Sequence, residues 1–364
     1  MEKLGDYFSG IADFRVKGRC LHELSDILGL ILCGVLADCD NFIEVADFGE
    51  DNIDFLKAEL GFNFPNGIPS EDTLERIFKH LSPKALQDCY AGLLKDISLA
   101  GRQLALDGKE LRSATPRGKK HSKVQMVNVW VEELGLSFGQ QQVEEKSNEI
   151  TAIPQLLDML ECKGAVVSID AIGCQKEIVE QIREKGADYV IALKKNQKEL
   201  YEQVTSEMDR QKSSLNPFIS RDLGHGRAEE RKVYILENLE FVDERHMWKD
   251  LSSVALVERK VIREGKEQQG QYLYISSLQG CGERQMCEYI RKQWGIENGL
   301  HWQLDVTFRE DDSVVREENA LVNLHLIRKW ALFILKKDPE KISMARKRKK
   351  AARNNQYLKQ LITS

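Results

Sequence analysis

Two aspartates stand at the ends of apolar runs that have the character of buried strands. Asp107 ends the run QLALD, and Asp170 ends the run VVSID, after which small residues and a glycine follow at once. An ionised carboxylate in such a place is unfavourable unless a partner or a metal ion takes up its charge. Asp170 could therefore cap a following helix, as strand-end aspartates often do, or it could bind a divalent cation.

The presence of two such aspartates makes metal binding as well supported as capping. If their strands are neighbours in one sheet, the carboxylates meet at one end of it and repel each other unless a cation lies between them. Magnesium prefers oxygen ligands, and protein sites usually leave it room for water and substrate phosphate. Two such ions about 4 Å apart can activate a nucleophile and stabilise the leaving oxygen of a phosphodiester. This chemistry requires a third acid from elsewhere in the chain.

The candidates for the third acid lie in the segment RKQWGIENGLHWQLDVTFREDD. Glu297, His301 and Asp305 recur at every fourth position, so one face of a helix would present all three. The surrounding helix is apolar enough to pack on a sheet. His301 could support a metal site or pack beside Trp302, and the packing interpretation is favoured. Pattern alone does not separate Glu297 from its acidic rivals, which are Asp305, Glu310 and Asp311.

The predicted elements around these acids follow the order expected of an RNase H-like sheet, in which the first and fourth strands lie side by side. No G-x-G-x-x-G follows any strand, which argues against a Rossmann fold. The first predicted strand ends at 107, and the four that follow span 124–132, 135–143, 166–169 and 188–193. The predicted helices span 153–162, 175–185, 196–211, 289–302 and 319–336.

The chain divides into five predicted segments around an α/β fold with an RNase H-like mixed sheet and flanking helices. Short helices joined by tight turns at the N-terminus suit a helix-turn-helix-like DNA module, and they suit a plain helical bundle equally well. The segments are an all-helical, DNA-binding domain (1–98), the first part of the RNase H-like catalytic core (99–213), a β-rich insertion (214–280), the core helices with the third acid (281–338) and a basic C-terminal tail (339–364).

Bulk composition limits the partners and the compartment. The 364 residues carry a net charge of −5, so any affinity for nucleic acid must come from local basic patches. The eight cysteines are scattered and form no CxxC pair, which argues against a zinc site and against a disulfide framework. The chain shows neither a signal peptide nor an apolar run long enough to span a bilayer. We therefore expect a cytoplasmic protein without a membrane partner.

Several basic residues are candidates for contacts with DNA phosphates. The run from 346 to 350 places five cations together, which would give salt-dependent affinity without sequence preference. Each candidate could instead be a solvated surface charge, and the run could be a disordered solubilising tail. The candidates are Lys109, Arg112, Lys194, Lys195, Arg227, Arg291, Arg346, Lys347, Arg348, Lys349 and Lys350.

Blocks along nearly the whole chain resemble the H-repeat-associated, ISAs-type transposases of bacterial insertion sequences, a branch of the DDE superfamily. The first-acid block is ALDGKELRSA, and the longest signature is VEEKSNEITAIPQLLDMLECKGAVVSIDAIGCQKEI. Two blocks follow, DYVIALKKNQKEL and GHGRAEER, and the third-acid block is WGIENGLHWQLDVTFREDDSVVREENALVNLHLIRKWAL. The segments ADFRVKGRCLHELSDILGL and GIPSEDTLERIF resemble the helical domain that precedes the catalytic one in that family.

The resemblance implies that Asp107, Asp170 and Glu297 are the DDE triad and that they bind two Mg²⁺ ions, for which Mn²⁺ can substitute. It implies endonucleolytic cleavage and strand transfer on double-stranded DNA, at element ends and at a target, by a homodimer. One departure concerns the residues ahead of the third acid, where the family has His-Trp and this chain has Gln293 and Trp294.

The same residues are compatible with two other functions. An RNase H-like nuclease would use the same acids and only hydrolyse DNA. A decayed or domesticated copy would bind DNA through its helical N-terminal domain without catalysis. The presence of all three acids counts against decay.

Overall fold

The computed structural model describes residues 8–112, 124–144, 148–224 and 226–363. Its N-terminal part is helical, as the sequence predicts. Asn41 caps the second helix by accepting a hydrogen bond from the Glu44 amide at 2.9 Å, and the fifth begins with Ser82 as its cap and a proline at its first position. The helices are α1 (Leu24–Leu36), α2 (Phe42–Asp51), α3 (Ile53–Leu60), α4 (Glu71–His80) and α5 (Pro83–Leu94).

A nine-stranded sheet follows, in the order β3-β2-β1-β4-β5-β9-β8-β7-β6. The first five strands are β1 (Gln103–Leu111), β2 (Val124–Val131), β3 (Leu136–Gln142), β4 (Val166–Ile169) and β5 (Asp188–Leu193). β1 is antiparallel to β2 and parallel to β4, and β4 is parallel to β5. The predicted RNase H-like arrangement, with the first and fourth strands adjacent, is confirmed.

The β-rich insertion extends this sheet instead of forming a separate one. Its strands are β6 (Phe218–Gly224), β7 (Arg227–Leu236), β8 (Ser253–Arg263) and β9 (Lys266–Ser276). β9 pairs antiparallel with β5, from Val190 opposite Ser276 to Leu193 opposite Leu273. The insertion therefore has a fixed orientation relative to the strands that carry the two aspartates.

β1 does not end at Asp107, where the sequence predicts the end of the strand. Its antiparallel pairing with β2 continues through Asp107 opposite Asn128 as far as Leu111 opposite Val124. Its parallel partner β4 stops earlier, with Leu106 paired to Ile169. Asp107 thus lies inside a strand, at the point where the neighbouring strand leaves the sheet.

The helices of the core are α6 (Glu149–Asp158), α7 (Lys176–Glu184), α8 (Lys198–Gln211), α9 (Glu283–Gln293) and α10 (Glu318–Lys337). The helix predicted over 289–302 is divided: α9 ends at Gln293, and two π-helical segments follow at Glu297–His301 and Gln303–Thr307. α10 is buried over most of its length and packs against α1 and α4. The N-terminal helices and the catalytic sheet consequently share one hydrophobic core.

The C-terminal residues fold onto the protein, which corrects the expectation of a basic tail. They form α11 (Met344–Ala351) and α12 (Asn355–Thr363), and both helices contact α10. Leu358 and Leu361 of α12 are buried in the common core. Within the residues that the structure describes, none of the helices combines the length and the apolarity needed to cross a bilayer.

Candidate active site

Asp107 and Asp170 come together because of strand register. Leu106 and Ile169 are the last paired residues of β1 and β4, and each is followed by an aspartate. The carboxylate of Asp170 also accepts a hydrogen bond from the Ile172 amide at 3.0 Å, which caps a short 3₁₀ turn. The capping role that the sequence offers for Asp170 is therefore present, and the same carboxylate lies close enough to Asp107 to raise the pKa of that acid.

The surroundings of Asp107 disfavour its ionised form. Burial, the main cause, and the negative charge of Asp170, the second cause, together raise the pKa of Asp107 to about 7. Glu149 and Glu297 act in the same direction, and only a hydrogen bond from the Gly108 amide opposes them. Carboxylates that repel each other in this way are stabilised by a cation among them. The donor set therefore fits a hard divalent metal ion.

Glu297 is the acid that the third segment brings to Asp107. It begins the first π-helical segment, and its Oε2 lies 3.1 Å from His301 Nδ1, which in turn lies 3.6 Å from Asp107 Oδ2. One ligand atom from each of the three residues lies within 4.8 Å of the others. Glu297 is 61% exposed, so the cluster opens to solvent and to a bound substrate.

His301 belongs to this cluster, whereas the sequence favours simple packing for it. Burial lowers the pKa of His301, and its hydrogen bond with Glu297 opposes that shift. Nδ1 faces the carboxylates, while Nε2 is buried without a hydrogen-bond partner among the described residues. The signal in the sequence is the four-residue spacing from Glu297, which alone does not distinguish a site residue from a core residue.

The rival acids are engaged elsewhere. Asp305 forms an ion pair with Lys109, and Asp311 forms one with Arg112 at 3.0 Å. Glu310 is buried, and both of its carboxylate oxygens lie 3.1 Å from His325 Nδ1. Burial would raise the pKa of Glu310, but the charges of His325, Arg328 and Lys109 hold it well below its ordinary value. These acids serve the structure around the site.

Glu149 is a fourth acid near the site that sequence reasoning does not single out. It begins α6, and Asn148 caps that helix by accepting from the Ile150 amide at 3.0 Å. Burial raises the pKa of Glu149, and Asp170 raises it further. A Cβ atom on Gly108 would lie 2.1 Å from Glu149 Oε1, so β1 has a glycine beside the first acid to admit this carboxylate. Glu149 lies in the KSNEI run, whose Lys146 and Ser147 fall outside the described residues.

The structure divides the predicted DNA-contacting cations into exposed and buried groups. Lys194 and Lys195 are exposed just after β5, and Asn196 beside them donates to the Ala171 carbonyl at 2.8 Å, next to the second acid. Lys109 is buried in its ion pair with Asp305. The remaining exposed or half-exposed members of the set are Arg112, Arg227, Arg291, Arg346, Lys349 and Lys350.

Two cations of the C-terminal run that the sequence predicts as DNA contacts are buried instead. Lys347 donates to the carbonyls of Leu335 and Asp338 at 2.8 and 2.7 Å. Arg348 is 0% exposed and donates to the carbonyls of Val35 and Cys39. Both side chains donate hydrogen bonds to carbonyl groups at buried helix ends. This structural role explains the presence of both cations without any contact with DNA.

A basic cleft begins beside Glu297. It has a volume of about 440 Å³ and is lined by side chains of β7–β9 and of α9, with Trp294 and Asn298 next to the third acid. Buried Glu229 forms ion pairs with three of its arginines, which orders the guanidinium groups. The arginines of the cleft are Arg227, Arg231, Arg259 and Arg291.

The strand order and the acids at the junction of β1 and β4 define an RNase H-like protein. The family model of the transposase DDE domain matches residues 99–334, and the model described as DDE_Tnp_1-associated matches residues 5–94. The chain therefore belongs to the DDE transposase family of insertion sequences, as the resemblance of its sequence blocks implies.

Full-length relatives agree with this assignment. The chain is 37% identical to "Putative transposase YncI" of Escherichia coli O157:H7, over 100% of this chain and 95% of that protein. It is 35% identical to "H repeat-associated putative transposase YhhI" of Escherichia coli K12, over 98% of this chain and 97% of that protein. "Putative protein YbfL" of the same strain is also 35% identical over 98% of the chain.

Proposed function

We propose that this DDE transposase cleaves DNA at the ends of its insertion sequence and transfers the released 3′ ends to a target, with Asp107, Asp170 and Glu297 as its catalytic acids. The observation that carries the proposal is the approach of Glu297 to Asp107 through His301, from a segment 190 positions later in the chain. Acids from three separate elements have no structural reason to converge at a solvent-open site, because their repulsion is unfavourable.

The residues fit two Mg²⁺ ions, for which Mn²⁺ would substitute. Bound ions would lower the pKa of a coordinated water and neutralise charge on the scissile phosphate. Asp107 is next to Asp170 through the register of β1 and β4 and is grouped with Glu297, so it is the residue suited to hold both ions. The Ile172 amide holds one oxygen of Asp170 in place, and the exposure of Glu297 leaves room for a phosphodiester.

Double-stranded DNA is the proposed partner. Lys194 and Lys195 are exposed directly before Asn196, which bonds to the residue after the second acid, and the basic cleft includes the third acid. Such cations position phosphates without reading sequence. Two copies of the chain acting as a homodimer would hold the two ends of one element.

The test uses a plasmid that carries the coding region with its flanking DNA. Asp107→Asn and Glu297→Gln should lose Mg²⁺-dependent strand cleavage while retaining binding to a duplex from the flanking DNA. Asp88→Asn is the matched control, because Asp88 is an exposed acid paired with Lys84 on α5. Cleavage without any joined product would favour the nuclease that only hydrolyses, and retained cleavage in either acid variant would refute the assignment.

A further inference from the structure

We propose that Gly299 and Trp130 are positioning residues for the third acid. The segment that carries Glu297 lies against the indole of Trp130 in β2, and this contact sets how closely Glu297 approaches Asp107. The inference rests on the proposed metal site and adds to it the feature of the fold that gives the site its dimensions.

Gly299 approaches Trp130 more closely than any other residue type could. A Cβ atom at this position would lie 2.5 Å from Cζ2 of the indole and 2.8 Å from Cε2. Real Cβ atoms do not come so near to another heavy atom, so a larger residue must displace either the indole or the segment. Gly295 makes a similar approach, since its Cβ would lie 2.5 Å from Oε2 of Glu132. The two glycines stand two positions before and two positions after Glu297.

The indole of Trp130 is held in place by burial, by a hydrogen bond and by a neighbouring cation. It is 1% exposed, and its Nε1 donates to Glu132 Oε2 at 2.6 Å. The Lys336 ammonium group lies 4.0 Å from the centre of the ring and donates to the Gly299 carbonyl at 3.2 Å. One cation thereby holds the indole and the backbone of the segment together, in a contact that is stronger when desolvated. A larger residue at position 299 would therefore displace the segment that carries Glu297 and leave the indole in place.

The β1–β2 ladder carries the position of Trp130 to the first acid. Trp130 pairs with Ala105, and Asn128 pairs with Asp107, so the indole and the first acid belong to one rigid pair of strands. Glu297 begins a π-helical turn in which its carbonyl accepts from the Trp302 amide. π-helical turns are rare and occur frequently at functional sites, where the extra residue redirects side chains. A shift of this turn would move Glu297 and His301 away from Asp107 together.

Plain core packing is the competing explanation, and it predicts a loss of stability without a specific effect on the metal site. The test therefore measures Mn²⁺ binding to the full chain, without DNA, by electron paramagnetic resonance, together with the thermal midpoint by circular dichroism. Gly299→Ala should bind Mn²⁺ at least tenfold more weakly and remain folded. Gly92→Ala is the matched control, since a Cβ atom there meets nothing within 4 Å, and it should bind as the wild type does.

A compensating substitution separates positioning from general damage. Trp130→Phe removes Nε1 and the outer ring atoms that face Gly299, so the double variant with Gly299→Ala should regain at least threefold of the lost affinity. If Gly299→Ala fails to fold, Lys336→Met is the variant that tests the positioning role. It introduces no clash and removes the cation that holds the indole and the Gly299 carbonyl, and it should weaken Mn²⁺ binding several-fold.

Three results would overturn the proposal. The first is wild-type Mn²⁺ affinity in folded Gly299→Ala, the second is a double variant no tighter than the single one, and the third is wild-type affinity in Lys336→Met where that variant decides. Asp107→Asn serves as the reference for the metal site itself. If it too retains wild-type affinity, the proposed metal site has failed; if it loses affinity while Gly299→Ala keeps it, only the positioning role has failed.

Discussion

Asp107 and Asp170 each directly follow one member of the last residue pair, Leu106 and Ile169, that joins the parallel strands β1 and β4. Their proximity is thus a property of strand register, which the hydrophobic core fixes. A one-residue slip would turn one carboxylate to the opposite face of the sheet. Glu297 has no such constraint and depends on the packing of its own segment.

Removal of the second acid should abolish catalysis. Asp170→Asn keeps the shape of the side chain and an oxygen that can accept from the Ile172 amide, so the 3₁₀ turn should persist. Loss of one metal ligand should lower Mg²⁺-dependent cleavage by at least about 100-fold, since even outer contacts of metal ligands contribute 10- to 100-fold. Gel analysis of the nicked plasmid measures the rate, and unchanged DNA binding is the control. A rate within tenfold of wild type would exclude Asp170 from the site.

The buried rival acid should behave as a structural residue. Glu310→Gln would leave His325 and Arg328 without their buried counter-charge, and the breaking of such a pair lowers the free energy of unfolding by about 3–5 kcal/mol. Urea denaturation followed by circular dichroism measures the change. Asp312→Asn, an exposed acid two residues later, should have no measurable effect. Equal stability of the two variants would contradict the assignment.

In the metal-free protein, Asp107 should contribute stability that increases as the pH falls from 8 towards 5. Because burial and Asp170 raise the pKa of Asp107 to about 7, the folded state takes up a proton that the unfolded state, with a pKa near 3.9, does not yet bind. This contribution is fully present below the unfolded pKa and is lost as the pH rises through 7. Thermal midpoints across the range test this expectation. Asp107→Asn lacks this contribution, so the thermal midpoint of the wild type relative to that of the variant should rise towards low pH; an identical pH profile would refute the cause.

Salt dependence of DNA binding should distinguish the two kinds of cation in the C-terminal run. Lys349→Ala removes an exposed charge and should reduce the slope of log affinity against log salt by about 1, at unchanged stability. Arg348→Met removes donors to Val35 and Cys39 and should lower the thermal midpoint instead. Fluorescence anisotropy with a labelled duplex measures the slopes. A reduced slope in folded Arg348→Met would show that this guanidinium does reach DNA.

The sequence predicts the strand order and two acids of the site because each apolar run ends at its aspartate. It does not predict that β1 continues beyond Asp107, since that depends on pairing with β2. The sequence leaves two roles open for His301 and does not single out Glu149, because the approach of both side chains to the acids depends on tertiary packing. The burial of Arg348 is not predicted for the same reason. Its carbonyl partner at Val35 lies 313 positions away, so the local run of charges by itself indicates an exposed side chain.

Three acids that are distant in the sequence should hold the metal ion in one place. The most direct measurement is an anomalous difference map from crystals of the full chain grown with Mn²⁺. We expect a peak roughly 2 Å from carboxylate oxygens of Asp107, Asp170 and Glu297. A strong peak at other residues, or a site that includes Asp107 but excludes Glu297, would contradict it.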